Sequence, residues 1–214
     1  MNSLLDRYLR YSLYFLIFGI FVFSPFDIVL NFRFSGFNFR FVVLFYLLFM
    51  VFASILIIKD FYRLRKIYFP LWFILLFVAS VLNLVFVFNS VLIVRGLFYA
   101  FWFLFFVFFI FVLVNIKDHF DLRILVNLYL ASFLIHALFG IIQQVGFYLF
   151  NVILFMTQFG RSNGFTYEPS YFSTYLSVGA VLSLALALFY NGKFKQRLFH
   201  YITFSVIFTS LILS

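Results

Sequence analysis

Gly160 to Ala180 reads GRSNGFTYEPSYFSTYLSVGA, and it concentrates the polar chemistry of a chain written elsewhere mostly in Phe, Leu, Ile and Val. Within nine residues it holds Arg161, Gly164, the only glutamate of the chain (Glu168) and Pro169, and it then runs into an apolar segment studded with Ser and Thr. Such a stretch is a loop feeding a membrane helix. Pro169 suits a first helical turn, where its missing N–H costs nothing, and Glu168 beside it meets the positive end of the helix dipole.

The surroundings of this loop decide the fold class. With 67% hydrophobic and 10% charged residues in 214, a water-soluble globule is excluded, because it could not cover its own surface with polar groups. The chain reads as an integral membrane protein. It has no cysteine and three scattered histidines, so no disulfide, thiolate or metal site is expected, and no cofactor. A net charge of +9 raises the question of nucleic acid, but the basic residues fall in short clusters between apolar spans, as in the loops of a polytopic membrane protein. No nucleic-acid partner is expected. Arg7 and Arg10 precede an apolar run like that of a signal peptide, yet Ser24-Pro25-Phe26-Asp27 stands where a small-residue cleavage site belongs, so this run reads as an uncleaved first span.

About 20 mostly apolar residues cross a bilayer, and this length divides the chain at its charged clusters. The spacing predicts an all-α polytopic bundle of about seven spans over a single transmembrane domain, 1–214. The spans fall near 11–30, 41–58, 69–88, 96–114, 124–145 and 169–190, with a seventh from about 199 that stops at Ser214 without a polar flank. The last span is therefore read as incomplete and the chain as the N-terminal portion of a longer protein. A short loop with Arg33, Gly36 and Arg40 is expected after the first span, and a longer one from about 146 to 168. Counting Lys and Arg alternately on the two sides puts eleven on one and four (Arg33, Arg40, Arg95, Arg161) on the other. The excess of Lys and Arg marks the cytoplasmic side and places the N-terminus there. Arg161 and Arg95 then lie on the outer face.

Arg161 is the leading candidate for chemistry, because an arginine in a Gly/Ser/Asn loop offers a planar fork of donors to phosphate or carboxylate. The plainer reading is an interfacial arginine bonded to lipid headgroups. Glu168 is a general base, an acceptor for sugar hydroxyls or a partner of Arg161, against the plainer role of a helix-start residue. Tyr167 and Tyr171 flank it and suit stacking on sugar rings, though interfacial tyrosines are expected in any case. Two polar stripes occupy the neighbouring spans: Ser170, Ser173, Thr174 and Ser177 on one, and Ser132, His136, Gly140 and Gln143, with Gln144 adjacent, on the other. Stripes of this kind serve close helix packing more often than a substrate path. His136, ionisable and well inside a span, must face protein or a cavity. No phosphate-cradling glycine loop, G-x-S-x-G or HExxH signature is present.

The pattern Arg161-x-x-Gly164-Phe165-x-x-Glu168-Pro169-Ser170-Tyr171-Phe172, on an outer loop opening a membrane helix and preceded by a helix carrying Gln143-Gln144, resembles the bacterial O-antigen polymerase and O-antigen ligase superfamily. The resemblance covers the front half of such a protein; the family's second half, with its large outer loop, has no counterpart in this chain. What it implies is a glycosyltransferase of surface polysaccharide assembly (O-antigen, lipopolysaccharide, capsule or exopolysaccharide) in the bacterial cytoplasmic (inner) membrane. An acceptor hydroxyl would attack the anomeric carbon of an undecaprenyl-diphosphate-linked glycan, without metal or nucleotide sugar. The family's arginines stabilise the departing diphosphate, and Arg161 stands at that position. Arg161 and Glu168 are then the expected catalytic residues, with Gly164, Tyr167, Ser170, Tyr171, Gln143 and Arg95 around the substrate. Other polysaccharide-assembly membrane proteins are expected partners. The competing class is a transporter or polyprenyl-lipid flippase, against which stand the absence of a clear internal repeat and of a helix broken by Gly/Pro pairs. A purely structural membrane subunit would leave the Arg161 to Pro169 cluster without a purpose.

Overall fold

Long runs of large apolar side chains make helices in an apolar solvent, because every backbone N–H and C=O must then find its partner within its own segment. The computed structural model describes residues 3–26, 31–34, 37–59, 75, 78–79, 90–155, 158, 160–166, 168–189 and 194–214. Its elements in chain order are α1 (Ser3–Phe23), a hairpin of β1 (Asn31–Phe34) and β2 (Phe37–Arg40), α2 (Val42–Lys59), α3 (Ser90–Ile116), a 3₁₀ turn (Lys117–His119), α4 (Leu122–Phe150), α5 (Pro169–Phe189) and α6 (Phe194–Leu213). Helix dominates, as expected. Among the described residues, α4, α5 and α6 are long and apolar enough to cross a membrane, and Val42–Ile58 forms a shorter apolar helix. The expected third span, 69–88, lies outside the described residues except at Leu75, Val78 and Ala79, which are helical.

Several boundaries differ from the expectation, each for a local reason. α1 ends at Phe23 instead of near residue 30, since the residue before a proline is pushed out of the helical region; Ser24 N–H makes the last turn's bond to Ile20 O at 3.0 Å. The expected loop with Arg33 and Arg40 is an antiparallel hairpin in which Asn31 pairs with Arg40 and Phe34 with Phe37. The alternation of Phe with polar residues on both sides of Ser35-Gly36 is a hairpin signal that span counting overlooks. α4 continues past residue 145 to Phe150, because a lone Gly146 costs a helix only about 1 kcal/mol. It stops at Asn151, whose left-handed backbone (φ 54°) lets its N–H reach Phe147 O at 3.1 Å while Val152 N–H turns back to Gly146 O at 3.0 Å. α6 starts at Phe194 and not near residue 199, absorbing Lys195, Gln196 and Arg197, all good helix formers, into its first turn.

The chain divides into two compact units, 1–49 with 121–214 and 50–120. In the second unit the polar side chains of the apolar helices turn inward on their own backbone: Ser54 Oγ donates to Met50 O at 2.7 Å and Asn115 Nδ2 to Phe111 O at 2.9 Å. The first unit contains the Gly160 to Ala180 stretch. There α6 packs on both α5 and α4, and α1 packs on α4. Asp121 caps α4 by accepting from Arg123 N–H at 2.8 Å, while its own N–H donates to Tyr14 Oη of α1 at 2.6 Å.

The centre of this unit is Phe133 and Ala137 of α4, Phe172, Leu176 and Ala180 of α5, and Ile207 of α6. Because lipid tails are as apolar as these side chains, close packing and interhelical bonds hold such helices together. Close approach is therefore where the sequence must be small. A Cβ on Gly140 would lie 2.6 Å from Ser210 Oγ and 2.8 Å from the Phe172 ring, so the α4–α5–α6 junction at this level admits hydrogen only.

Candidate functional site

The stripe expected on the fifth span faces protein. Ser132, His136 and Gln143 are fully buried, and Gly140 is buried with them. Ser132 Oγ donates to Tyr129 O at 2.7 Å and lies 3.2 Å from Tyr175 Oη. His136 Nε2 is 2.8 Å from Val22 O, and since a carbonyl only accepts, that nitrogen carries the proton. The histidine thus satisfies one of the open carbonyls at the end of α1. Its ring also meets the edges or faces of Phe26, Phe165 and Tyr175 at centroid distances of 5.6, 5.7 and 5.2 Å. It is a helix-to-helix contact. The second stripe behaves differently: Ser173, Thr174 and Ser177 of α5 bond backbone carbonyls three or four residues back on their own helix, and Thr174 is exposed.

Above these helices the loop is held by amide side chains. Gln143 Oε1 accepts from Gly164 N–H at 2.8 Å and Gln143 Nε2 donates to Gly164 O at 3.0 Å, and the same Nε2 reaches Leu154 O at 2.7 Å. Gln144 Nε2 bonds Leu213 O of α6 at 2.9 Å and Gly160 O at 3.4 Å. One glutamine ties the loop to α4 and the other ties α4 to both the loop and α6. Asn163 Nδ2 donates to Thr166 O at 2.6 Å and Phe155 O at 3.2 Å, and Thr166 Oγ1 donates to Asn163 O and Glu168 O, each at 2.8 Å. This closes a turn around Gly164, whose φ of +55° and whose hydrogen pressed against the Phe172 ring both demand glycine.

Phe165 is inserted as a wedge. Its ring stacks on Phe139 at 3.9 Å and on Phe26 at 4.1 Å, with interplanar angles of 10° and 11°, so one loop side chain bridges α4 and the segment after α1. Arg161, fixed between Gly160 and the buried Ser162, is exposed. Its Nε donates to Ser214 O at 2.7 Å, and Ser162 N–H donates to Leu213 O at 3.3 Å. Among the described residues this is the only bond of the Arg161 guanidinium, and its two terminal amino groups make none. Holding Nε while leaving both Nη groups is how an arginine keeps a bidentate face for an oxyanion.

Glu168 begins α5. Its carbonyl accepts from Phe172 N–H at 3.2 Å and Tyr171 N–H at 3.1 Å, and its carboxylate Oε2 accepts from Ser170 Oγ at 3.1 Å. Among the described residues it makes no ion pair with Arg161. Ser170 and Tyr171 are exposed beside it, Tyr171 at 59%. The structure therefore bonds Gly164 to Gln143, ties Arg161 in the same loop to Ser214 O, and sets Glu168 with Ser170 at the helix start. Tyr167 and the Arg95 side chain lie outside what is described; Arg95 belongs to α3, in the other unit.

Sequence reasoning missed the residues that build the turn from within. Asn163 and Thr166 are buried, and Asn163-Gly164 is a turn dipeptide whose signal was there to be read. The use of the last α6 carbonyls as a floor for the loop has no such signal. Ser162 Oγ, Gln144 Oε1 and Ser210 Oγ are buried around that floor with no bonding partner among the described residues. Among the described residues no group of acidic, His or Cys side chains is arranged to hold a metal. Comparison with protein-family models, curated proteins and solved structures found no match.

Proposed function

We propose that this chain is the N-terminal part of a polytopic glycosyltransferase of surface polysaccharide assembly. In this reading it has about seven spans in the bacterial cytoplasmic membrane, with its N-terminus inside, and uses an undecaprenyl-diphosphate-linked glycan at the outer leaflet. The observation that carries the proposal is the Arg161 guanidinium, tethered through Nε to Ser214 O with neither Nη group bonded among the described residues, on a loop whose turn is clamped by Gln143. That is a cation pre-set in direction at the end of an apolar bundle. It suits an anionic lipid headgroup better than it suits a solute passing through.

In the proposed step, an acceptor hydroxyl oxygen bonds to the anomeric carbon, and the bond from that carbon to the diphosphate oxygen breaks with its electron pair. Negative charge grows on the diphosphate as it leaves. Two Nη donors aimed at those oxygens stabilise the transition state more than the ground state, which is the condition for raising the rate. Glu168, part-exposed at the start of α5 and already accepting from Ser170 Oγ, takes the hydroxyl proton or orients the sugar through its remaining lone pairs. Tyr171 offers an exposed ring for stacking on a sugar.

The test is glycan transfer in membranes that express the full-length protein with Arg161→Ala, at matched abundance. Transfer should fall about a hundredfold, the loss of one oxyanion-type contact of about 3 kcal/mol. Wild-type transfer by this variant would reduce the loop to an interfacial anchor.

A further inference from the structure

A second site lies at the far end of the same bundle. Arg123 and Gln143 are separated by 20 residues of α4, about 30 Å along the helix, and around the Arg123 end the starts of α4 and α6 and the end of α5 enclose a cavity of about 620 Å³. Its walls are Leu122 and Val126 of α4, Leu186 of α5 and Phe199 of α6. Arg123 and Lys195 stand on its lining, both exposed, and the buried His200 lines it as well. Two cations therefore border a hollow whose remaining lining joins these apolar side chains to Asn127, Gln196 and His200.

We propose that this cavity binds an anionic phospholipid, with the phosphate between Arg123 and Lys195 and the acyl chains along Leu122, Val126, Leu186 and Phe199. The volume falls in the range that takes a small-molecule ligand or a headgroup with its first methylenes. Charge complementarity chooses among lipids: a basic hollow between membrane helices recruits anionic over zwitterionic headgroups. The neighbouring Asp121 carboxylate keeps its charge but is not among the cavity's lining residues; it caps α4 by accepting from Arg123 N–H at 2.8 Å, and one acid leaves the two cations in excess. Arg197 is already directed elsewhere, its Nε bonded to Ala187 O at 3.3 Å at the end of α5, which draws the start of α6 against that helix and shapes the cavity. The site is independent of Arg161 and requires only that the helices stand in a bilayer.

The experiment is to reconstitute the full chain into bilayers of equal phosphatidylglycerol and phosphatidylcholine, extract it gently and weigh the retained lipid by native mass spectrometry. Phosphatidylglycerol should be retained about tenfold over phosphatidylcholine, from one to two basic side chains near the headgroup. Arg123→Gln with Lys195→Gln should abolish that preference, a loss of about tenfold that leaves the variant retaining the two lipids equally. Exchanging the cations, Arg123→Lys with Lys195→Arg, should preserve it and so separates charge from folding; Arg161→Ala should preserve it as well. Equal retention of the two lipids by the unaltered chain, or no change in the Gln double variant, overturns the proposal. Displacement of the lipid by inorganic phosphate alone also overturns it, in favour of a free-phosphate site.

Discussion

Gln143 and Gly164 exchange a reciprocal pair of hydrogen bonds, 2.8 Å into the glutamine oxygen and 3.0 Å from its nitrogen, so that a buried side chain on α4 serves as the bonding partner of a loop residue 21 positions on. A backbone N–H and C=O buried in a turn must be satisfied somewhere, and here one amide does both. Gln143→Leu should strand both groups and destabilise the protein by about 3 kcal/mol, at about 1–3 kcal/mol for each unsatisfied buried group. Thermal unfolding of the purified protein in detergent measures this, and an unchanged midpoint would mean that the turn is held by something else.

Two neighbours in the same turn should respond in opposite ways. Ser162 Oγ is buried without a bonding partner among the described residues, whereas Asn163 Nδ2 holds Thr166 O and Phe155 O. Ser162→Ala should be neutral or slightly stabilising, while Asn163→Ala should cost about 2 kcal/mol from stranded carbonyls. The same unfolding measurement ranks them, and a Ser162→Ala variant less stable than Asn163→Ala would contradict this assignment of bonds.

Gly164 is required twice, for its left-handed backbone and for its contact with Phe172. Gly164→Ala alone should be strongly destabilising, and adding Phe172→Leu should relieve the overlap while leaving a residual cost of about 1–2 kcal/mol from φ of +55°. A double-mutant cycle separates the two. Strict additivity would show that the ring contact is not what excludes a side chain.

The absence of native cysteine allows single-cysteine labelling for topology. Gln158 and Gln196 are both exposed, at opposite ends of the α4–α6 bundle. In intact cells an impermeant thiol reagent should label Gln158→Cys from outside and leave Gln196→Cys unlabelled until the cells are opened. The reverse pattern would end the outer-leaflet reading of Arg161.

How much of this was legible beforehand depended on the range of the interaction. Pro169 at the first position of α5, with Glu168 ahead of it, is a local steric rule, and the helix starts there. The buried stripe of Ser132, His136, Gly140 and Gln143 follows from helical periodicity alone, and all four are buried. What local pattern does not carry is the choice of partner. Nothing around Phe165 announces that it will lie between Phe139 and Phe26, and nothing around Arg161 announces Ser214 O, because both contacts depend on where α1 and α6 come to rest. Charge was the misleading signal: Lys195 and Arg197 read as loop, yet in a helix their long side chains reach polar surroundings from within the first turn.

The central claim is that the Arg161 fork binds a polyprenyl diphosphate, and equilibrium binding of undecaprenyl diphosphate to the purified full-length protein tests it most directly. Arg161→Lys keeps the charge and loses the fork, whereas Arg161→Ala loses both. The account predicts weaker binding for Lys and weaker still for Ala, which should lose about a hundredfold with folding intact. Equal affinity for wild type and Arg161→Ala would contradict it.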